Sequence, residues 1–373
     1  MKSFFLVFTL LLGMSTTSDA ANVIKLTTSK AIGSTIEITM VYSGTVTIEG
    51  SSTEPTSSSI NAKSYTLTSQ ELTITGDISV FQCNSQNLTK LDVSGTSKLN
   101  TLSCYSNQIT ELDVSKSTGL LNLSCYSNQI AELDLSKNTK LKQFSCATNK
   151  LTSLDVRNNK ELTSLTCSSN LLSALDVSQN TELTTLNCYN NQLTALDLTN
   201  NTKLTKLSCE KNLLQEIDVK NNRALTYLKC DDNQIVSLDL SENTALTDLL
   251  CGSNQLTCLD VSHNTALEEL RCESNKLAEL SLNSTLKNLY CQSNQLTSLD
   301  LSENTALKYL NCSNNQLMIL DLSKNTSLGK NGNISGQVPT AKPVAHVPFQ
   351  LLFPFSVLCS LTCLNLLHTN TWP

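Results

Sequence analysis

Apolar residues recur along most of the chain at a fixed spacing, and cysteine marks that spacing. Ten cysteines from Cys83 to Cys272 are each 21 residues apart, Cys291 follows after 19 residues, and Cys312 after another 21. Around each cysteine the sequence reads L-x-x-L-x-C-x-x-N-x-L-x-x-L-D-V-S-x-N-T-x. This repeat has two similar halves, the first of ten and the second of eleven residues. Apolar residues two apart in L-x-C and in L-D-V predict a short strand in each half. We therefore predict a mainly β repeat solenoid with two short parallel strands per coil.

Both ends of such an array need a cap, because the outermost coils have no neighbour on one side. Residues 21–71 are predicted to form a small β N-terminal cap, with strands at 23–28, 34–40 and 45–49 and a polar loop at 51–61. The segment 72–78 has the same length as 280–286, where the 19-residue step occurs. The array is therefore expected to run over residues 72–330, in about 12 coils.

The two ends of the chain have different compositions. Residues 1–20 combine Lys2, a short apolar run and small residues before Ala20, a pattern that predicts an exported protein cleaved after Ala20. Residues 331–373 are interpreted as a connector and an apolar tail, with fourteen apolar residues and no charge in 347–367. A membrane tail, a packed C-terminal cap and a poorly ordered end all remain open for this tail, and any membrane contact is expected only through it.

Charge and composition exclude several function classes. The net charge of -6 without a cluster of Lys or Arg argues against nucleic-acid binding. With three histidines in the chain and no Ser/His/Asp set, phosphate loop or paired acids, we predict no catalytic residues, no enzyme activity, no cofactor and no metal.

The cysteines allow two interpretations. Twelve cysteines in an exported protein invite a disulfide framework, and the spacing of coils does not forbid one. Each ladder cysteine, however, stands at an inward apolar position, so we expect mostly reduced, buried thiols. Zinc is disfavoured because no four ligands cluster. Cys258 lies outside the ladder at an outward position and is the candidate reactive thiol.

Residues 78–328 resemble the leucine-rich repeat family, whose pattern L-x-x-L-x-L-x-x-N/C-x-L is matched with cysteine at the third apolar position. The nested 21-residue form with one cysteine per coil is similar to the cysteine-ladder internalins and to related secreted bacterial proteins. The resemblance implies a surface-exposed binding protein without enzymatic activity. It does not extend to cell-wall attachment, because no Leu-Pro-x-Thr-Gly signal follows the array.

Outward positions of the cysteine-bearing strand are predicted to form the ligand-binding face, because the outward positions of the L-D-V strand hold no aromatic residue. Six of the eight tyrosines fall on this predicted face: Tyr105, Tyr126, Tyr189, Tyr227, Tyr290 and Tyr309. The alternative is that tyrosine simply fits a pleated surface. A secondary charged zone on the same face, which could also serve only solubility, contains Lys206, Lys229, Asp231, Glu269, Arg271 and Glu273.

Two further columns repeat along the array. An aspartate recurs in the L-D-V strand from Asp92 to Asp321, interrupted only by Ser281. We expect these aspartates to titrate as a coupled set with some raised pKa values, and to be compensated by hydrogen bonds from the following Ser or turn amides. A threonine column at 163, 184, 205, 226 and 247 places hydroxyls at regular spacing.

These features lead to two function hypotheses. The first is a secreted or surface-displayed, adhesin-like recognition module, a monomer that binds an extracellular protein or glycan through the tyrosine-bearing sheet. The alternative is a structural protein or a binder of an ordered lattice such as ice, for which the threonine column is the support.

Overall fold

The computed structural model describes residues 22–328 in full and, beyond them, the backbone of 334–335 and 341–342. The predicted signal segment 1–20 and the tail 347–367 lie outside the described residues. Within the described part the regular elements are all strands, and no helix is long and apolar enough to cross a membrane. The strands in chain order are β1 Val23–Thr28, β2 Thr35–Glu49, β3 Ser59–Thr66, β4 Glu71–Gln82, β5 Leu88–Asp92, β6 Thr101–Ser103, β7 Asn122–Ser124, β8 Gln143–Ser145, β9 Ser164–Thr166, β10 Thr185–Asn187, β11 Lys206–Ser208, β12 Tyr227–Lys229, β13 Asp248–Leu250, β14 Cys258–Asp260, β15 Glu269–Arg271, β16 Glu279–Ser281, β17 Asn288–Tyr290, β18 Tyr309–Asn311, β19 Leu320–Asp321, β20 Ile334–Ser335 and β21 Ala341–Lys342.

The array is a β-solenoid, as the repeat predicts. The strands that precede the ladder cysteines pair in parallel from β4 through β6–β13, β15 and β17 to β18, in eleven successive pairings that correspond to about eleven turns. Each pairing joins residues one repeat apart, for example Leu186 with Leu207, so every inward position continues in the next coil. The core is the resulting stack of Leu, Ile, Val and Cys columns, most of them 0–2% exposed.

The second half of each coil is less regular than the first. A parallel ladder forms between β14 and β16, where the 19-residue step shortens the turn, and between β19 and β21. Apart from the first coil, the L-D-V stretches of the other described coils lie outside the assigned strands. In paired and unpaired coils alike the aspartate side chain accepts the backbone N–H two residues later, as Asp113 does from Ser115 and Asp260 does from Ser262, both at 2.9 Å.

The N-terminal strands close the first coil. β4 pairs antiparallel with β1 and β2, and its last three residues pair in parallel with β6. β1 also pairs with β5, the L-D-V strand of the first coil, so both halves of that coil are covered. Strand 23–28 matches the sequence prediction, whereas 34–40 and 45–49 belong to one long strand, and the expected loop at 51–61 ends in β3.

Candidate functional site

The array has two long sides with different surfaces. We call the sheet formed by the strands before the ladder cysteines the cysteine-strand sheet, and the side that carries the L-D-V stretches the Asp side. On the cysteine-strand sheet the side chains three before, one before and one after each cysteine point outward, while the leucine and cysteine between them are buried.

The strand ends sharply after the outward residue that follows each cysteine. The next residue is left-handed in all twelve coils, with φ between 50° and 59°, although none of them is glycine. In eleven of these coils the next residue is an asparagine that closes the turn, and in the first coil it is Gln86. In one coil Asn128 donates to the carbonyl oxygens of Cys104 and Cys125, both at 3.0 Å, and accepts the N–H of Ile109 at 3.0 Å. The side chain after each cysteine is therefore presented from a fixed backbone.

The structure separates the six predicted tyrosines into groups. Tyr105 and Tyr126 stack with ring centroids 4.4 Å apart and planes 7° apart. Tyr290 and Tyr309 stack near the other end, also at 4.4 Å. Tyr189 and Tyr227 lie between them, at opposite ends of their strands, so the tyrosines do not form one continuous patch.

Two depressions lie on the cysteine-strand sheet. The first, about 430 Å³, is a polar depression in the early coils, beside the Tyr105–Tyr126 stack. The second, about 560 Å³, is the charged pocket, lined by Tyr189, Glu210, Lys211, Lys229, Asp231, Asp232, Leu250, Ser253, Arg271 and Glu273. The sheet therefore presents a neutral zone and a charged zone in succession.

Four of the six residues of the predicted charged zone line the charged pocket: Lys229, Asp231, Arg271 and Glu273. Lys206 and Glu269 lie on the same sheet outside the pocket lining. Lys229 pairs with Glu210 at 3.1 Å, and Arg271 pairs with Glu269 at 2.7 Å. The Arg271 guanidinium also lies 4.4 Å from the Tyr290 ring centroid, which connects the charged zone to the second tyrosine stack.

The carboxyl group of Asp231 in this pocket has a raised pKa. Burial raises its pKa to about 6, the N–H of Gly252 opposes this by donating at 3.0 Å, and the charge of Glu273 adds to the rise. Gly252 itself was missed in the sequence analysis. The available signal was its place in the column directly after the cysteines, where it is the only glycine.

On the Asp side the expectation of raised pKa values was wrong. Hydrogen bonds from the backbone and side chain two residues later lower the pKa of the column members for which a shift is resolved, as Ser115 does for Asp113. At Asp155 the bonds come from Arg157 and lower the pKa to about 2. The compensation by Ser and turn amides is confirmed, and it outweighs repulsion between carboxylates of adjacent coils.

The threonine column uses its hydroxyls within the array. Each of the five hydroxyls lies within hydrogen-bond distance of the backbone carbonyl one coil earlier, for example Thr184 to Thr163 at 3.0 Å and Thr205 to Thr184 at 3.0 Å, and Thr247 also lies 2.6 Å from Asp248. These hydroxyls therefore have acceptors within the array, in the preceding coil.

The twelve ladder thiols are free and buried, as expected, and burial raises the pKa of Cys125 and Cys167 to about 12. Cys258 is free and exposed. In residues 22–328 no group of three or more His, Cys, Asp or Glu is arranged to hold a metal ion.

Comparison with solved structures identifies relatives of this fold. InlJ from Listeria monocytogenes, whose functional domain includes a cysteine ladder, is 35% identical over 70% of this chain and 70% of its own, with a TM-score of 0.50. The internalin inlF from Listeria monocytogenes is 23% identical over 69% of this chain and 82% of its own, with a TM-score of 0.60. An octameric complex of Latrophilin 3, Unc5D and the leucine-rich repeats of FLRT2 contains a chain that is 18% identical, with a TM-score of 0.55, over 69% of this chain and 90% of that one.

No protein-family model and no curated protein matches the chain. The likeness to inlF and to the FLRT2 complex concerns the fold alone. The likeness to InlJ goes further, because it combines 35% identity, 70% coverage of both chains and a cysteine ladder. The chain therefore belongs to the leucine-rich repeat proteins with a cysteine ladder, the family of InlJ.

Proposed function

We propose that this protein is a recognition module that binds an extracellular protein or glycan through the cysteine-strand sheet. The observation that carries the proposal is the asymmetry between the two sides of the solenoid. The cysteine-strand sheet carries stacked tyrosines, a polar depression and a charged pocket, whereas the Asp side repeats the same Asp turn from coil to coil. Aromatic side chains held by a rigid backbone supply contact area at low entropic cost, as recognition surfaces require.

The solved complex of Latrophilin 3, Unc5D and FLRT2 supports binding of a protein by this fold, since its leucine-rich repeats were captured with partner proteins. We also propose that the protein acts as an exported monomer at the cell surface or outside the cell. The apolar segment at 1–20 and the relationship to InlJ support this location.

The test compares wild-type protein with a Tyr105→Ser, Tyr126→Ser, Tyr189→Ser variant on immobilised extracellular proteins and glycans. All three tyrosines are partly exposed, so circular dichroism and the urea midpoint should show an intact solenoid. We expect the triple variant to bind the ligand of the wild-type protein with at least tenfold lower affinity.

A matched control carries serine at Glu111, Glu132 and Ala195, exposed residues on the Asp side of the same three coils. This control should bind like the wild type. If the control loses binding and the tyrosine variant keeps it, the Asp side is the recognition surface and the proposal is wrong.

A further inference from the structure

We propose that the charged pocket captures a basic side chain of a protein partner, a lysine or an arginine, between Asp231 and Glu273 and above Gly252. This inference deepens the proposed function and rests on it. It names the chemistry of one contact, which the tyrosines and the overall asymmetry leave open.

Gly252 lets two carboxylates of neighbouring coils come together. In all the other coils the residue after the ladder cysteine carries an outward side chain, from Asn84 to Ser313. A Cβ at Gly252 would lie 3.1 Å from Cδ of Glu273 and 3.3 Å from Oδ1 of Asp231. The two carboxylates therefore close over the position that a side chain takes in the other coils, and no side chain of residue 252 separates them.

Two of the three cations that line the pocket pair with other carboxylates, and the third is Lys211. Lys229 lies 3.1 Å from Oε1 of Glu210, and Arg271 lies 2.7 Å from Glu269. Among the described residues no ion pair within 4 Å involves Asp231 or Glu273. The two carboxylates beside Gly252 therefore lack a direct ion pair, although Lys229 attracts Asp231 and Arg271 attracts Glu273 over a longer distance.

Three acidic oxygens of the pocket are buried without a hydrogen-bond partner: Oε2 of Glu210, Oδ2 of Asp231 and Oε2 of Glu273. The Glu210 side chain is only 9% exposed, although its other oxygen is paired with Lys229. Buried acceptors without donors are unfavourable, and charged acceptors more so. A ligand that brings N–H donors and positive charge would remove this cost, and this complementarity points to a cation.

The number of oxygens favours a nitrogen cation over a metal ion. Calcium takes about 6–8 oxygen ligands, and Oδ1 of Asp231 is already occupied by the Gly252 N–H. An ammonium has three donors and a guanidinium five, which suits a few separate carboxylate oxygens. Tyr189, also in the pocket lining, offers an apolar surface for the aliphatic part of a lysine or arginine side chain.

Selective ¹⁵N-glycine labelling of the full chain tests the proposal, since the chain has 11 glycines and the Gly252 amide donates to Asp231. The Gly252→Ala variant assigns the signal. The probe is an acetylated peptide amide with two lysines spaced by glycines, with an arginine version and a glutamate version beside it. We expect the lysine or arginine peptide, and not the glutamate peptide, to shift the Gly252 signal saturably.

An Asp231→Asn, Glu273→Gln variant should bind the basic peptide at least tenfold more weakly, because its amides remove the negative charge at similar size. The matched control, Glu132→Gln with Glu216→Gln, removes the same charge from exposed positions on the Asp side and should bind as the wild type does. Equal weakening in both variants would mean that only net charge attracts the peptide, which overturns the proposal. A missing Gly252 shift also overturns it, as does a shift by calcium alone that blocks the peptide.

Failure of the basic-side-chain contact can be distinguished from failure of the proposed function. If the tyrosine variant loses a ligand and the Asp231→Asn, Glu273→Gln variant binds that ligand and the peptide normally, the recognition face stands and the basic contact is refuted. If no ligand is bound but the basic peptide saturates Gly252 in the wild type alone, the pocket chemistry stands and the broader proposal fails.

Discussion

The two asparagine columns provide the sharpest test of how the solenoid is held together. Asn212 and Asn222 belong to the same coil and are 5% and 0% exposed. Asn212 follows the cysteine strand and uses both ends of its carboxamide. It donates to the carbonyl oxygens of Cys188 at 3.1 Å and Cys209 at 3.0 Å, and it accepts the N–H of Leu193 at 3.0 Å. An alanine at 212 would therefore leave a buried donor and two acceptors without this partner.

Asn222 in the Asp-side turn uses only one end of its carboxamide. It donates to the carbonyl oxygens of Leu198 at 3.1 Å and Asn201 at 2.9 Å, but its own Oδ1 is buried without a hydrogen-bond partner. An alanine at 222 loses two hydrogen bonds, but it also removes the Oδ1 atom, whose burial without a hydrogen-bond partner is unfavourable. The two substitutions delete the same atoms, so the difference between them reports hydrogen bonding rather than volume.

Asn212→Ala leaves one group unpaired, the Leu193 N–H, because the Cys188 carbonyl keeps the donor Asn191 and the Cys209 carbonyl keeps Asn233. At about 1–3 kcal/mol for the unpaired donor and about 1 kcal/mol for each of the two other hydrogen bonds lost, the free energy of unfolding should fall by about 3–5 kcal/mol. Asn222→Ala should cost about 1–2 kcal/mol, since the relief of its unpaired oxygen offsets part of the loss. Urea denaturation followed by far-ultraviolet circular dichroism measures both, with Asn221→Ala as an exposed control in the turn of Asn222. The reasoning fails if Asn222→Ala is as destabilising as Asn212→Ala.

Three further predictions concern single residues. Cys258→Ser should abolish the rapid reaction of the native array with a thiol reagent, measured by mass spectrometry, because the ladder thiols are buried; fast labelling of a ladder cysteine would contradict this. Asp231→Asn should gain stability relative to the wild type as pH rises from 4 to 7. The raised pKa of Asp231, about 6, means that the folded state holds a proton the unfolded state has released, so the wild type loses stability across this interval, and a pH-independent difference in urea midpoints would refute the assignment. Thr148 is β-branched at φ 55°, so Thr148→Asn should stabilise by about 1 kcal/mol, and an unchanged or lower melting temperature would contradict the cost assigned to this conformation.

The repeat made the scaffold predictable, because an inward position must keep its residue type when each coil packs only on its neighbours. Leu186 and Leu207 could be placed in register from spacing alone, and the structure confirms this pairing. Coil-to-coil pairing on the Asp side is less regular than the alternation of L-D-V indicates. Alternation does not reveal that an aspartate side chain accepts a backbone N–H two residues later, as Asp113 does from Ser115, and this bond lowers the pKa values that the column was expected to raise.

The candidate site was only partly predictable, because outward columns reveal which side chains share a face but not which of them interact. The stacking of Tyr105 on Tyr126 follows from their equivalent places in adjacent coils. The pairing of Lys229 with Glu210 rather than with Asp231 depends on side-chain conformations that spacing does not specify. Gly252 could not be recognised from residue chemistry, because a glycine contributes only by carrying no side chain between Asp231 and Glu273.

The same construction explains how this surface can change without a change of fold. From the second coil onward the turns after the ladder cysteines are held by backbone and asparagine bonds. The bonds of Asn212 and Asn233 repeat those of Asn128, although the outward residues before them are Glu210, Asp231 and Tyr126. The outward side chain makes none of these shared bonds. Tyrosine, serine, carboxylate or no side chain at all can therefore occupy the same place at little cost to the stack. A surface built in this way acquires a new ligand through its outward columns alone, and the charged pocket is the place where several coils in succession have departed from the neutral pattern.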